Sequence, residues 1–138
     1  MNFFLQMITK PTLKAKFYFL VSLAYSLIIL YLSLANLSKV DIVKFNSSDK
    51  FYHVICYMIM SILWSFFLHS KLKQVRKSSR VVLMVSIIAF GIIIEYLQLF
   101  LTNYRSFDWW DVLANSVGVI LGMLLFSFFV KRIYRQNI

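Results

Sequence analysis

Asp49, His53 and Tyr57 stand four residues apart, with Lys50 beside them, at one end of an otherwise apolar run. Residues four apart share one face of a helix, so an acid, an imidazole and a phenol would line a single stripe. A carboxylate next to an imidazole can orient it, which makes His53 the first candidate for acid–base work. A second apolar run carries Glu95 and Gln98, three apart and again on one face. Glu95 lies about seven residues from the end of its run, or roughly 10 Å along a helix. Glu95 is the second candidate for moving a proton. A third group follows: Arg105, Asp108, Asp111 and Asn115, then Gly118 and Gly122. Asp111, Asn115, Gly118 and Gly122 step by four, three and four, giving one stripe that is polar at its start and small below.

These residue types suggest distinct roles. His53, Glu95 and Asp111 are the candidate catalytic groups. Asp49, Lys50, Tyr57, Gln98, Arg105, Asp108 and Asn115 are candidate ligand-binding groups, with Lys50 and Arg105 able to hold a phosphate or carboxylate. Tyr57 and Ser116 are poor nucleophiles, so the sequence leaves open whether the site is catalytic. Gly118 and Gly122 form a G-x-x-x-G pair, whose simpler reading is close helix packing. Asp49, His53, Glu95, Asp108 and Asp111 have the oxygen and nitrogen types of metal ligands. They lie on separate segments, and no short ligand motif such as H-x-x-x-H occurs. No cofactor and no metal is therefore assigned, with a divalent ion as the lesser alternative.

The elements that must position these groups are apolar. Hydrophobic residues make up 61% of the 138 and charged residues only 14%, against roughly 25% charged in soluble domains. A water-soluble chain this short could not bury so much apolar surface. Four continuous apolar runs, at about 17–35, 51–68, 81–101 and 110–130, approach the ~20 residues of a membrane-spanning helix. Continuity rather than alternation favours helices over barrel strands. The expected fold is all-α: a single polytopic membrane domain over 1–138, with four transmembrane helices in a bundle. The link between the first two runs offers Asn46, Ser47 and Ser48 as helix caps.

The formal net charge of +10 does not point to nucleic acid, because the basic residues sit in short clusters between the runs. Lys10, Lys14 and Lys16 precede the first run; Lys71, Lys73, Arg76, Lys77 and Arg80 fill the second connection; Lys131, Arg132 and Arg135 follow the fourth. Only Lys39, Lys44, Lys50 and Arg105 remain for the other side. The positive-inside rule then predicts both termini in the cytoplasm. Asp41, Asp49, Asp108 and Asp111 all fall on the outer side. A cleavable leader ending at Ser33-Leu34-Ala35 is the rival reading of the first run, but that run exceeds the usual signal core. Trp109 and Trp110 read as interfacial anchors, and Cys56 as inert.

The ordered set Asp49-Lys50-x-x-His53-x-x-x-Tyr57, Glu95-x-x-Gln98, Arg105 and Asp108-x-x-Asp111-x-x-x-Asn115-x-x-Gly118-x-x-x-Gly122 resembles the VanZ-like family of small bacterial integral membrane proteins. The resemblance covers about residues 49–122, and the first run matches in character only. It implies a multi-pass protein of the bacterial cytoplasmic (inner) membrane. It also implies a link to susceptibility to lipoglycopeptide antibiotics of the teicoplanin type, and it leaves the chemistry open.

Taken together, the residues suggest an outward-facing polar pocket that binds or modifies a lipid-linked or cell-wall-related molecule. The bilayer is the expected environment, with oligomerisation open and nucleic acid excluded. The alternative is a non-enzymatic assembly or chaperone protein whose polar residues lock the bundle. A transporter is disfavoured, because four short helices without an internal repeat or a broken central helix suit alternating access poorly.

Overall fold

The computed structural model describes residues 11–35, 49–72, 74–103 and 106–136, and these form four helices. Helix α1 spans Pro11–Leu34, α2 Asp49–Lys71, α3 Lys77–Leu101 and α4 Trp109–Gln136. Their lengths of 24, 23, 25 and 28 residues exceed the roughly 20 needed to cross a hydrocarbon core. All four are long and apolar enough to span a membrane. The chain is thus an all-helical, multi-pass membrane protein. Asn46, Ser47 and Ser48, assigned to capping α2, lie outside the described residues, as does Arg105.

The bundle is inverted relative to a water-soluble core. Large apolar side chains point outward, among them Leu20, Tyr31, Val82, Phe100, Leu124 and Phe128. The interior holds a small apolar core around Met60, Ile94 and Val119, and with it Ser22, Ser26, Ser61, Ser65, Glu95, Gln98, Asp111 and Asn115. Lipid solvates Leu as well as protein does, so helices in a bilayer associate through close packing and polar contacts. The buried hydroxyls return to their own helix: Ser26 Oγ donates to the Ser22 carbonyl at 2.9 Å, and Ser65 Oγ to that of Ser61 at 2.6 Å. This four-residue pattern satisfies a hydroxyl without opening the helix.

Helices α2 and α4 form the most extensive pair, α1 packs on α2, and α3 closes against α4. The reason for the first pair is steric. A methyl group at Gly118 would fall on the carbonyl of Val54, and one at Gly122 on the carbonyl of Met58 and the hydroxyl of Ser61. The absent side chains let the two backbones touch. Between α1 and its neighbours, ring contacts such as Tyr18 on Phe66 and Phe19 on Trp64 are joined by polar ones. Trp64 Nε1–H donates to Ser26 Oγ at 3.1 Å, Tyr25 O–H to the Cys56 carbonyl at 3.2 Å, and Gln98 Nε2–H to the Ser33 carbonyl at 2.9 Å.

Asp108 starts α4. Its Oδ1 accepts the Trp110 N–H at 2.8 Å, and its carbonyl accepts the Asp111 N–H at 3.2 Å. This satisfies backbone donors that a helix start otherwise leaves without partners. The Trp110 N–H, and then Lys50, hold the Asp108 carboxyl below its ordinary value. A depressed pKa gives stability that is complete above the unfolded-state value and lost as pH falls through the folded one. Asp108→Ala is expected to destabilise the bundle by about 0.5–1 kcal/mol, at the low end for a cap because the carboxylate is exposed. Urea or thermal unfolding at neutral pH would measure this, and the difference from wild type should shrink below about pH 4.

Candidate functional site

Three helices deliver polar groups to one end of the bundle, the end where α2 and α4 begin and α3 finishes. Helix α2 brings Lys50 and His53 on its first turns, α3 brings Glu95 about a turn and a half from its end, and α4 brings Asp111 and Asn115. The Gly118 and Gly122 contacts lie below on α4, so the same close approach that joins α2 to α4 draws His53 against Asp111 and Asn115.

Asp111 is the hub. Its Oδ1 takes Lys50 Nζ at 3.2 Å and its Oδ2 faces His53 Nε2 at 3.6 Å. Lys50 Nζ also reaches Asp108 Oδ2 at 3.0 Å, which ties the start of α2 to the start of α4. His53 Nδ1 lies 3.0 Å from Asn115 Oδ1. An amide oxygen only accepts, so this contact places the proton on Nδ1 and directs Nε2 toward Asp111. One nitrogen or carboxylate oxygen from each of His53, Glu95 and Asp111 falls within 4.8 Å of the others. Glu95 is 1% exposed, Asn115 2% and Asp111 7%. Lys50 is half exposed at the rim.

Tyr57 and Gln98, expected at the site, also make contacts with the surrounding bundle. Tyr57 is buried in the apolar core with Met60 and Ile94, and its ring fills the space in front of Gly91. It supports the floor of the cluster. Gln98 spends its amide N–H on the Ser33 carbonyl and so ties α3 to α1. Asp49 opens α2, but its side chain and Arg105 lie outside what is described. Among the described residues, Asn115 and Asp111 are the groups that face the His53 ring.

Gly91, which no spacing in the sequence marks, packs against the cluster. A methyl group there would lie 3.0 Å from the Tyr57 ring and 3.2 Å from Asn115 Nδ2. Gly91 is one turn from Glu95 on the same helix, a spacing that hints at a shared face. Asn115 Nδ2 is buried here without a hydrogen-bond partner among the described residues.

A cavity of about 150 Å³ lies at the opposite end, among Ser65, His69, Arg80, Met123, Phe126 and Lys131. The polar cluster and this cavity are thus separate features, one packed and one open. Trp109 and Trp110 ring the polar end with exposures of 66% and 65%, as amphipathic residues at a membrane boundary do.

What the cluster can do follows from its parts. Carboxylate and amide oxygens accept hydrogen bonds from hydroxyl or ammonium groups, the imidazole can carry a proton, and Lys50 donates at the rim. No curated protein and no solved structure matches the chain. A family model described as VanZ/LLP1 matches residues 1–130. That match runs through all four helices nearly to the end of α4, so the chain belongs to the VanZ/LLP1 family.

Proposed function

We propose that this protein sits in the bacterial cytoplasmic membrane with both termini inside, and that its polar end faces outward and holds the head group of a lipid-linked or cell-wall-related molecule. The observation that carries this reading is the convergence of His53, Glu95 and Asp111 within 4.8 Å in buried surroundings, on helices that lie in lipid. Ionisable groups at membrane depth cost about 2.5–3.5 kcal/mol in the mildest estimates and about 10 kcal/mol or more in the most demanding, so they are seldom kept without a use. The acyl or prenyl tail of a ligand would lie against the apolar exterior, and its hydroxyl or amine groups would donate to Asp111 and Glu95. His53, held by Asn115, would accept or return a proton. Engagement of such envelope lipids would alter susceptibility to antibiotics of the teicoplanin type.

The test is complementation of a deletion strain. Wild type should change teicoplanin-type susceptibility, and His53→Ala and Glu95→Gln should fail to do so while accumulating in the membrane to the same level. Full activity of both variants would refute the reading. Reporter fusions at either terminus should also give cytoplasmic signals.

A second reading has its own support: Gln98 to Ser33, and Lys50 to Asp108 and Asp111, join separate helices. In that reading the polar set locks a non-enzymatic assembly protein. It requires the same substitutions to lower protein level and function together.

A further inference from the structure

We propose that His53 Nε2, Glu95 and Asp111 hold a divalent first-row metal ion, Zn(II) or Mn(II). The inference concerns the cluster already read as a head-group site and rests on that reading for its use, but its geometry and its test are independent of function.

Four observations support it. First, the three ligand atoms lie within 4.8 Å of one another, on three different helices. Ligands about 2.0–2.2 Å from one ion lie roughly 3–3.5 Å apart. His53 Nε2 and Asp111 Oδ2, at 3.6 Å, already have nearly that separation, and it is too long for a hydrogen bond. Second, the histidine is prepared. Its other ring nitrogen meets Asn115 Oδ1 at 3.0 Å, which fixes the tautomer with a lone pair on Nε2, as outer partners of metal-bound histidines do. Third, the carboxylates of the set are shielded from water: Glu95 is 1% exposed and Asp111 7%. Fourth, Asn115 Nδ2 is a nearly fully buried donor with no partner among the described residues. It lies beside Gly91 and the Tyr57 ring, on the side chain whose oxygen meets His53.

One imidazole with two carboxylates suits zinc, manganese or ferrous iron better than magnesium or calcium, which take oxygen almost alone. Three protein ligands leave a coordination position open, as in sites that bind substrate. An ion there would let an acidic cluster accept a phosphate or pyrophosphate head group, which bare carboxylates would repel.

The full chain, purified in detergent without chelator and with a tag lacking histidine, should carry close to one equivalent of zinc or manganese by elemental analysis. Metal stripped by chelation should return on titration with Zn(II) or Mn(II) and raise the thermal midpoint. His53→Ala and Glu95→Gln should lose at least nine-tenths of the metal, and His69→Ala at the other end should keep it. Asp111→Cys loaded with Co(II) should show a thiolate-to-cobalt charge-transfer band, a signal that a merely structural role would not produce. Wild type that neither contains nor takes up either ion would overturn the inference, and so would metal retained in both His53→Ala and Glu95→Gln. If metal is absent while head-group binding still depends on His53, this inference fails and the proposed function stands. If metal binds but head groups do not, the inference holds and the function is refuted.

Discussion

Gly118→Leu is expected to abolish the folded bundle. At this position even a methyl group meets the Val54 carbonyl and comes within 3.1 Å of the Met58 amide nitrogen. Both are backbone atoms of α2 and cannot rotate away. Helices α2 and α4 would have to separate along the most extensive contact of the bundle. Overpacking a well-fitted site costs about 1–3 kcal/mol, and more when rigid atoms are struck. Gly118→Ala should therefore lower the thermal midpoint by several degrees. Gly118→Leu should leave little protein in the membrane, because it adds three more carbons to that contact. Gly122→Ala is milder, since the Ser61 hydroxyl can turn, though the Met58 carbonyl cannot. Membrane accumulation and melting in detergent measure all three. Wild-type stability in Gly118→Leu would show that α2 and α4 do not meet as described.

The second large effect is functional. Asp111→Asn keeps the shape of the side chain and removes its charge. The start of α4 stays capped by Asp108, and Lys50 retains Asp108 at 3.0 Å. In metal-free protein the melting midpoint should therefore move little. Activity should fall at least tenfold, because the group that faces both Lys50 and His53 no longer carries charge. Parallel loss of stability and activity would favour the lock reading. Loss of activity with stability kept would contradict it.

Much of this arrangement is legible in the sequence because lipid imposes simple rules. A continuous apolar run of about 20 residues must become a helix, and each of the four runs lies within one, apart from Ala35 at the edge of α1. The helices extend beyond the runs because polar residues at their ends, such as Lys77 and Lys131, continue the backbone pattern outside the apolar window. The stripes on α3 and α4 also follow from periodicity: Glu95 and Gln98 are both buried, as are Asp111, Asn115, Gly118 and Gly122.

What sequence could not supply is the identity of neighbours on other helices. Nothing in the spacing says that Lys50 meets residues 58 and 61 positions away, or that Gln98 reaches the backbone of Ser33. Tyr57 shares a stripe with His53, yet one further turn carries it from the rim into the core. Gly91 escaped notice because a lone glycine in an apolar run has no partner in spacing, and its meaning comes from the Tyr57 ring and Asn115 packed against it. The serines at 22 and 26, and at 61 and 65, do stand four apart. That spacing could have marked the inward faces of α1 and α2.

The central claim is that a polar cluster inside a membrane bundle receives a head group. It is tested most directly by native mass spectrometry of the full chain in nanodiscs, with a polyprenyl-linked saccharide pyrophosphate and with the bare polyprenol. The expected result is one bound head-group lipid per chain, at least tenfold preferred over the polyprenol, with that preference lost in Glu95→Gln and His53→Ala. Equal retention of both lipids by wild type, or the same preference in the variants, would contradict the claim.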